Sequence, residues 1–187
     1  DVSAVSNTAS IVSTIISTPS TVTLYQYSSS SSSITLATPS QYATSGPPGT
    51  GFVVSPNPLV PQTGSGFIEL DASLPQNLVE TTQYSTGEPV YVVVEDLDQN
   101  VDDSVRETVV VVVTSLSGDR EEILLTETGL DTGIFVGYIQ SADGAVTQYD
   151  GVINLGQDSS VTVSYTDKYD PSDTNESISL VDPVSVV

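Results

Sequence analysis

From Gly66 onward the chain is a succession of short runs of Val, Ile, Thr and Tyr, each closed by Gly, Asp or Asn. β-Branched and aromatic residues suit a pleated, half-buried surface, and turns this closely set leave no room for a long helix. The spacing predicts strands at 66–70, 89–95, 108–116, 121–128, 133–140, 146–155, 160–166 and 177–181. Ser117-Gly118-Asp119 and Ala142-Asp143-Gly144 read as hairpin turns. Run 109–113 is valine throughout and apolar on both faces, so it is expected at the centre of a sheet.

Seven or eight such strands in about 120 residues predict an all-β fold, an immunoglobulin-like β-sandwich. Charge divides the chain differently. Residues 1–68 carry a single charged side chain, Asp1, and the rest hold all three bases and every other acid. The Pro/Gly-rich stretch 46–66 marks the break, which suggests a Ser/Thr-rich region at 1–65 and an acidic sandwich at 66–187.

Within 1–65 an unbroken serine run, 28–33, has the composition of a flexible linker or an O-glycosylated stalk. Apolar β-formers interrupt that composition, among them Ile11, Val12, Ile15, Ile16, Val22 and Leu24. Leaving them in water is costly, at about 25 cal/mol per Å² of apolar surface. They are expected to form strands that fill the core of a neighbouring copy, as a donated strand does.

The loop 96–107 carries the most specific chemistry. Asp96, Asp98, Asn100, Asp102, Ser104 and Glu107 stand at positions 1, 3, 5, 7, 9 and 12 of twelve residues, the ligand spacing of a Ca²⁺ loop. Position 6 is Val101 where a helix-loop-helix site needs Gly, and both flanks read as strands, so the loop belongs on a β scaffold. A second reading is an acidic loop whose side chains cap their own backbone. Asp167, Asp170 and Asp173, with Asn175 and Glu176, form another acidic cluster, either a second cation site or the rim of a shared one. Asn175-Glu176-Ser177 is an N-glycosylation sequon. The chain has no His and no Cys, which removes thiol chemistry, disulfides and soft-metal sites.

The run Leu124-Leu125-Thr126-Glu127-Thr128-Gly129-Leu130-Asp131-Thr132-Gly133-Ile134-Phe135-Val136-Gly137-Tyr138-Ile139 resembles a signature of extracellular Ig-like repeat domains. Such domains occur in large bacterial and archaeal cell-surface and surface-layer proteins. The likeness extends to Gly87-Glu88-Pro89-Val90-Tyr91-Val92 and to Val161-Thr162-Val163-Ser164-Tyr165-Thr166-Asp167, and covers about 66–187. It implies a structural or adhesive surface module, with Ca²⁺ at Asp96, Asp98, Asn100 and Asp102. The residues themselves predict positive φ at Gly129 and Gly133, with Glu127 and Asp131 capping the turn.

A net charge of −21 argues against nucleic acid and anionic membranes as partners. No apolar run approaches the ~20 residues of a membrane span. The start shows no basic and apolar leader pattern, so a signal peptide is expected to be absent or already removed. The function expected is a Ca²⁺-stabilised subunit of an extracellular filament or surface layer, a homopolymer built by strand donation, with glycans on its surface. The first rival is a monomeric adhesin or carbohydrate-binding module on a glycosylated stalk. The remote one is an aspartic-type protease using Asp131-Thr132-Gly133, which lacks the second triplet that a carboxylate dyad requires.

Overall fold

The computed structural model describes residues 17–30, 33–34, 39–62, 66–156 and 160–182. Ile11, Val12, Ile15 and Ile16 lie outside them. The strands are β1 (Thr21–Tyr27), β2 (Ser33–Ile34), β3 (Gln41–Tyr42), β4 (Val53–Val54), β5 (Leu59–Pro61), β6 (Phe67–Glu69), β7 (Gln76–Glu80) and β8 (Gln83–Ser85). They continue with β9 (Pro89–Glu95), β10 (Thr108–Ser115), β11 (Arg120–Glu127), β12 (Ile134–Ala142), β13 (Val152–Asn154), β14 (Ser160–Thr166) and β15 (Thr174–Asp182). The one helical turn among the described residues is Leu97–Gln99, so the protein is all-β.

Thirteen strands form one sheet in the order β2-β7-β1-β9-β12-β11-β10-β14-β15-β8, with β13 on β12, β3 on β11 and β4 on β3. Pairing is antiparallel except for β12 with β13 and β15 with β8. β11 and β12 share only the pairs Thr126↔Val136 and Glu127↔Phe135, and the sheet turns at that short seam. β7 pairs with β1, whereas β8, a few residues on, pairs with β15 at the far end of the path. The two halves therefore face each other. Leu24, Val92, Val111, Leu125, Phe135 and Val163 from both halves meet in one core.

β9 lies between β1 and β12, and all of it but Glu95 is buried. Its second face joins Leu78, Val136 and Tyr138 in a smaller cluster. Residues of the charge-poor half reach this layer: Tyr138 donates its N–H to Ser40 Oγ at 2.6 Å and its hydroxyl to the Pro56 carbonyl at 2.8 Å. A Cβ at Gly137 would stand 2.5 Å from Leu125 Cδ2 and 2.8 Å from Ser40 Oγ, so a side chain there would block this approach. Past the seam, β3 takes the place beside β11, at Ile123↔Tyr42 and Leu124↔Gln41.

Several expectations change. The compositional break near residue 65 is not a break in packing, because β1 and β3 belong to the sheet formed by later strands. The strand holding run 109–113 lies between two others as expected, paired with β11 along the whole run and with β14 from Val112, yet only alternate residues are buried and Val110 is open to solvent. The strand covered on both faces is β9. Ala142-Asp143-Gly144 is not a hairpin turn, since β13 runs parallel to β12. The expected strand 146–155 shrinks to Val152–Asn154, after turns at Tyr149 (φ 62°) and Gly151 (φ 84°). Gly133 has φ 60°, but Gly129 is not among the positive-φ glycines.

Candidate cation site

Two strands of facing layers end on aspartates at the same end of the fold. β9 closes at Glu95 and is followed by Asp96; β14 closes at Thr166 and is followed by Asp167. Asp96 is held by its N–H, which donates to the Gly133 carbonyl at 2.8 Å. Its carboxylate caps the turn Leu97–Gln99 by accepting from the Asp98 N–H, as Asp does at a helix start. Asp167 accepts from the Tyr169 N–H at 2.6 Å in an Asx turn.

Asp96, Asp98 and Asp167 each bring one carboxylate oxygen within 4.8 Å of the others. Asp96 and Asp167 are each 1 % exposed. Gln99 Nε2 donates to Asp167 Oδ1 at 2.6 Å, and the Tyr165 hydroxyl donates to Asp96 Oδ2 at 2.7 Å. Asp167 Oδ2 is buried with no hydrogen-bond partner. A buried carboxylate oxygen without a donor is costly, and natural folds seldom keep one without a reason.

Electrostatics sharpen the point. Among the described residues the one ion pair is Arg120–Glu122, so no Lys or Arg is paired with the triad. Burial, offset in part by the Tyr165 hydrogen bond and reinforced by Asp98 and Asp167, pushes the Asp96 carboxyl up to about 6. Three carboxylates this close repel unless protons or a cation lie among them. The donor set is oxygen alone, which suits a hard divalent cation such as Ca²⁺. A cleft of about 260 Å³ lined in part by Gln99, Thr108, Tyr165 and Lys168 adjoins these residues.

The other expected ligands make contacts outside the triad, although Asn100 Oδ1 and Glu107 Oε2 are buried without a hydrogen-bond partner. Asn100 Nδ2 donates to Asp131 Oδ1 at 2.7 Å. Asp102 accepts from the N–H and hydroxyl of Ser104. Glu107 Oε1 accepts from the N–H groups of Val101 and Asp102 at 3.0 and 2.7 Å. Within the loop the first turn joins the triad, while Asp102 and Glu107 Oε1 cap the loop's own backbone. Asp170 caps Ser172 and receives a hydrogen bond from the Ser17 side chain. Asp173 Oδ2 accepts from the Ser20 N–H at 2.7 Å. Asn175 Nδ2, the atom to which a glycan would be attached, lies 2.8 Å from Ser20 Oγ and 2.7 Å from Asp173 Oδ1, so glycosylation there would displace this packing.

Val22 and Leu24, read from sequence as filling a neighbour's core, here pack in their own: Leu24 is 2 % exposed and Val22 lies against the same cluster. Glu127 caps its turn as expected, and three carboxylates that the pattern did not single out, Asp119, Glu121 and Glu122, organise other turns. Glu127 Oε1 accepts from the Thr132 and Gly133 N–H groups at 2.7 and 2.8 Å, which explains the signature around Gly133. Asp131, paired with Asn100, does not cap that turn. Glu121 accepts from Asp150 and Gly151, Glu122 from Gly49, and Asp119 from Asn154. Burial raises the Glu121 carboxyl to about 7. Lys168, the single lysine, lies over the Tyr169 ring at 5.4 Å. No family model matches the chain, and no curated protein matches it in sequence.

Proposed function

We propose that this chain is a non-catalytic structural module of the cell exterior, an Ig-like β-sandwich stabilised by Ca²⁺ that assembles with copies of itself into a filament or layer. The observation that carries the reading is the convergence of Asp96, Asp98 and Asp167, with Asp167 Oδ2 buried and unpartnered. Extracellular Ca²⁺ modules bind at the high free Ca²⁺ found outside cells, and a bound cation offsets part of a −21 charge that keeps copies apart. Assembly is assigned to β1. It is one strand inserted between β7 and β9, followed by the serine-rich stretch, and the same strand donated by a neighbour would make the same two ladders.

The adhesin reading stands second. A cleft of about 230 Å³ has Tyr42, Asn57, Tyr138, Gln140 and Asp150 in its lining, the residue types that hold a sugar. Asn57 and Gln140, however, hydrogen-bond to Glu69, Ala72, Leu59 and Gly87. Sedimentation and negative-stain microscopy of the full chain, with Ca²⁺ and with EDTA, test the proposal. Ca²⁺ is expected to raise the melting temperature and to drive end-to-end or lateral assembly, and Leu24→Asp to weaken that assembly. A monomer at every concentration, with a melting curve indifferent to Ca²⁺, overturns it.

A further inference from the structure

The segment just before β1 is fastened to both acidic loops. Pro19 restricts Thr18 to an extended backbone, and the Thr18 N–H donates to Asp98 Oδ2 at 2.9 Å. Two residues on, the Ser20 N–H donates to Asp173 Oδ2, and Asn175 Nδ2 lies 3.0 Å from the Ser20 carbonyl oxygen. Ser20 is 4 % exposed. One oxygen in this fastening has no partner: Thr18 Oγ1 is buried without a hydrogen bond. It belongs to the residue whose own N–H holds Asp98, and Asp167 Oδ2, Asn100 Oδ1 and Glu107 Oε2 are likewise buried without a partner.

Resting on the cation reading above, we infer that Thr18 is a ligand of the same cation, so that the ion bridges the N-terminal segment to the ends of β9 and β14 and clamps β1 in place. Ca²⁺ takes six to eight oxygens, more than three carboxylates supply unless each is bidentate, and a neutral hydroxyl adds a ligand without adding repulsion. The coupling runs both ways. If seating of β1 strengthens cation binding, the cation must strengthen seating of β1 by the same factor. Residues 21–27 hold no charged side chain, so the clamp works through ligation and hydrogen bonds and not through charge attraction along the strand.

The test uses the full chain. Tyrosine-sensitised Tb³⁺ luminescence with Ca²⁺ competition reads affinity, and hydrogen exchange reads the amides of β1. Thr18→Val keeps the branched shape and the N–H but removes the hydroxyl; Thr18→Ser restores it. Thr18→Val is expected to weaken Ca²⁺ binding by about tenfold, the scale of losing one supporting contact at a metal site. Thr18→Ser is expected to bind as the wild type does. Ca²⁺ is expected to slow exchange across Thr21–Tyr27 in the wild type and less so in Thr18→Val. Wild-type Ca²⁺ binding that Thr18→Val leaves unchanged, or exchange in β1 that ignores Ca²⁺, overturns the clamp alone. Absence of Ca²⁺ binding in the wild type overturns the cation site and the clamp together.

Discussion

The hydroxyl of Tyr165 donates to Oδ2 of Asp96 across 2.7 Å in an interior where the two residues are 2 % and 1 % exposed. This bond ties β14 of one layer to the loop after β9 of the other.

Tyr165→Phe keeps the ring and removes the donor. A hydrogen bond to a charged group contributes about 2 kcal/mol, so a loss near that size is expected in urea unfolding in EDTA. The Asp96 carboxyl, which this bond holds down, is expected to titrate higher in the variant.

Gly133→Ala tests the backbone beneath the site. At φ 60° an added Cβ would stand 2.9 Å from Leu97 Cα and 3.0 Å from the Asp96 carbonyl oxygen. These are backbone atoms, which no rotamer change can move. A loss of about 2 kcal/mol or more is expected, from left-handed strain and displacement together. Ca²⁺ affinity is expected to fall with it, because Asp96 is the atom's owner. Wild-type affinity in a folded Gly133→Ala protein would show that the loop's placement does not govern the site.

Asp167→Asn separates the cation from the fold. The side-chain oxygen can still accept from Gln99 and Tyr169, while a negative charge is removed. In EDTA the variant is expected to melt at or above the wild-type temperature. With Ca²⁺ the wild type should gain stability and the variant should not. A full Ca²⁺ response in Asp167→Asn places the ion elsewhere.

Acidity should stabilise the metal-free protein. Burial raises Glu121 from an ordinary 4.5 to about 7 and Asp96 from 3.8 to about 6, so the folded state binds more protons than the unfolded state in those windows. The stability from each group is full below its ordinary value and is lost as pH rises through its raised one. Melting temperature in EDTA is therefore expected to fall between about pH 5 and about pH 8. Glu121→Gln should flatten the upper part of that slope; an unaltered slope would relocate the titrating group.

What the sequence made legible follows from what each signal measures. β9 and β14 were legible because their runs of Val, Tyr and Thr are bounded by polar turns, and both are found at 89–95 and 160–166 as expected. β7, Gln76–Glu80, was not, since its apolar content is only Leu78 and Val79. Burial comes from its neighbours, which no local pattern contains. The acidic cluster was half legible. A twelve-residue template assumes that ligands lie close along the chain, yet the acidic cluster takes Asp96 and Asp98 from that loop and Asp167 from a strand end far along the sequence. The usable signal was that two strands stop on the same residue type, in Glu95-Asp96 and Thr166-Asp167. Charge composition misled at residue 65, because an uncharged strand fits best where it is covered on two sides, and β1 is such a strand.

β1 is hydrogen-bonded along both of its edges, to β7 at Tyr25–Tyr27 and to β9 at Thr21–Tyr25, and Leu24 plugs it into the core. Tension applied along its axis loads those bonds side by side, so they must shear together, whereas a strand peeled from a free edge gives way one bond at a time. Resistance to such pulling is set by the rate of rupture and not by equilibrium stability. A chain held through its N-terminal segment therefore has its grip at one of the places where this fold is hardest to tear.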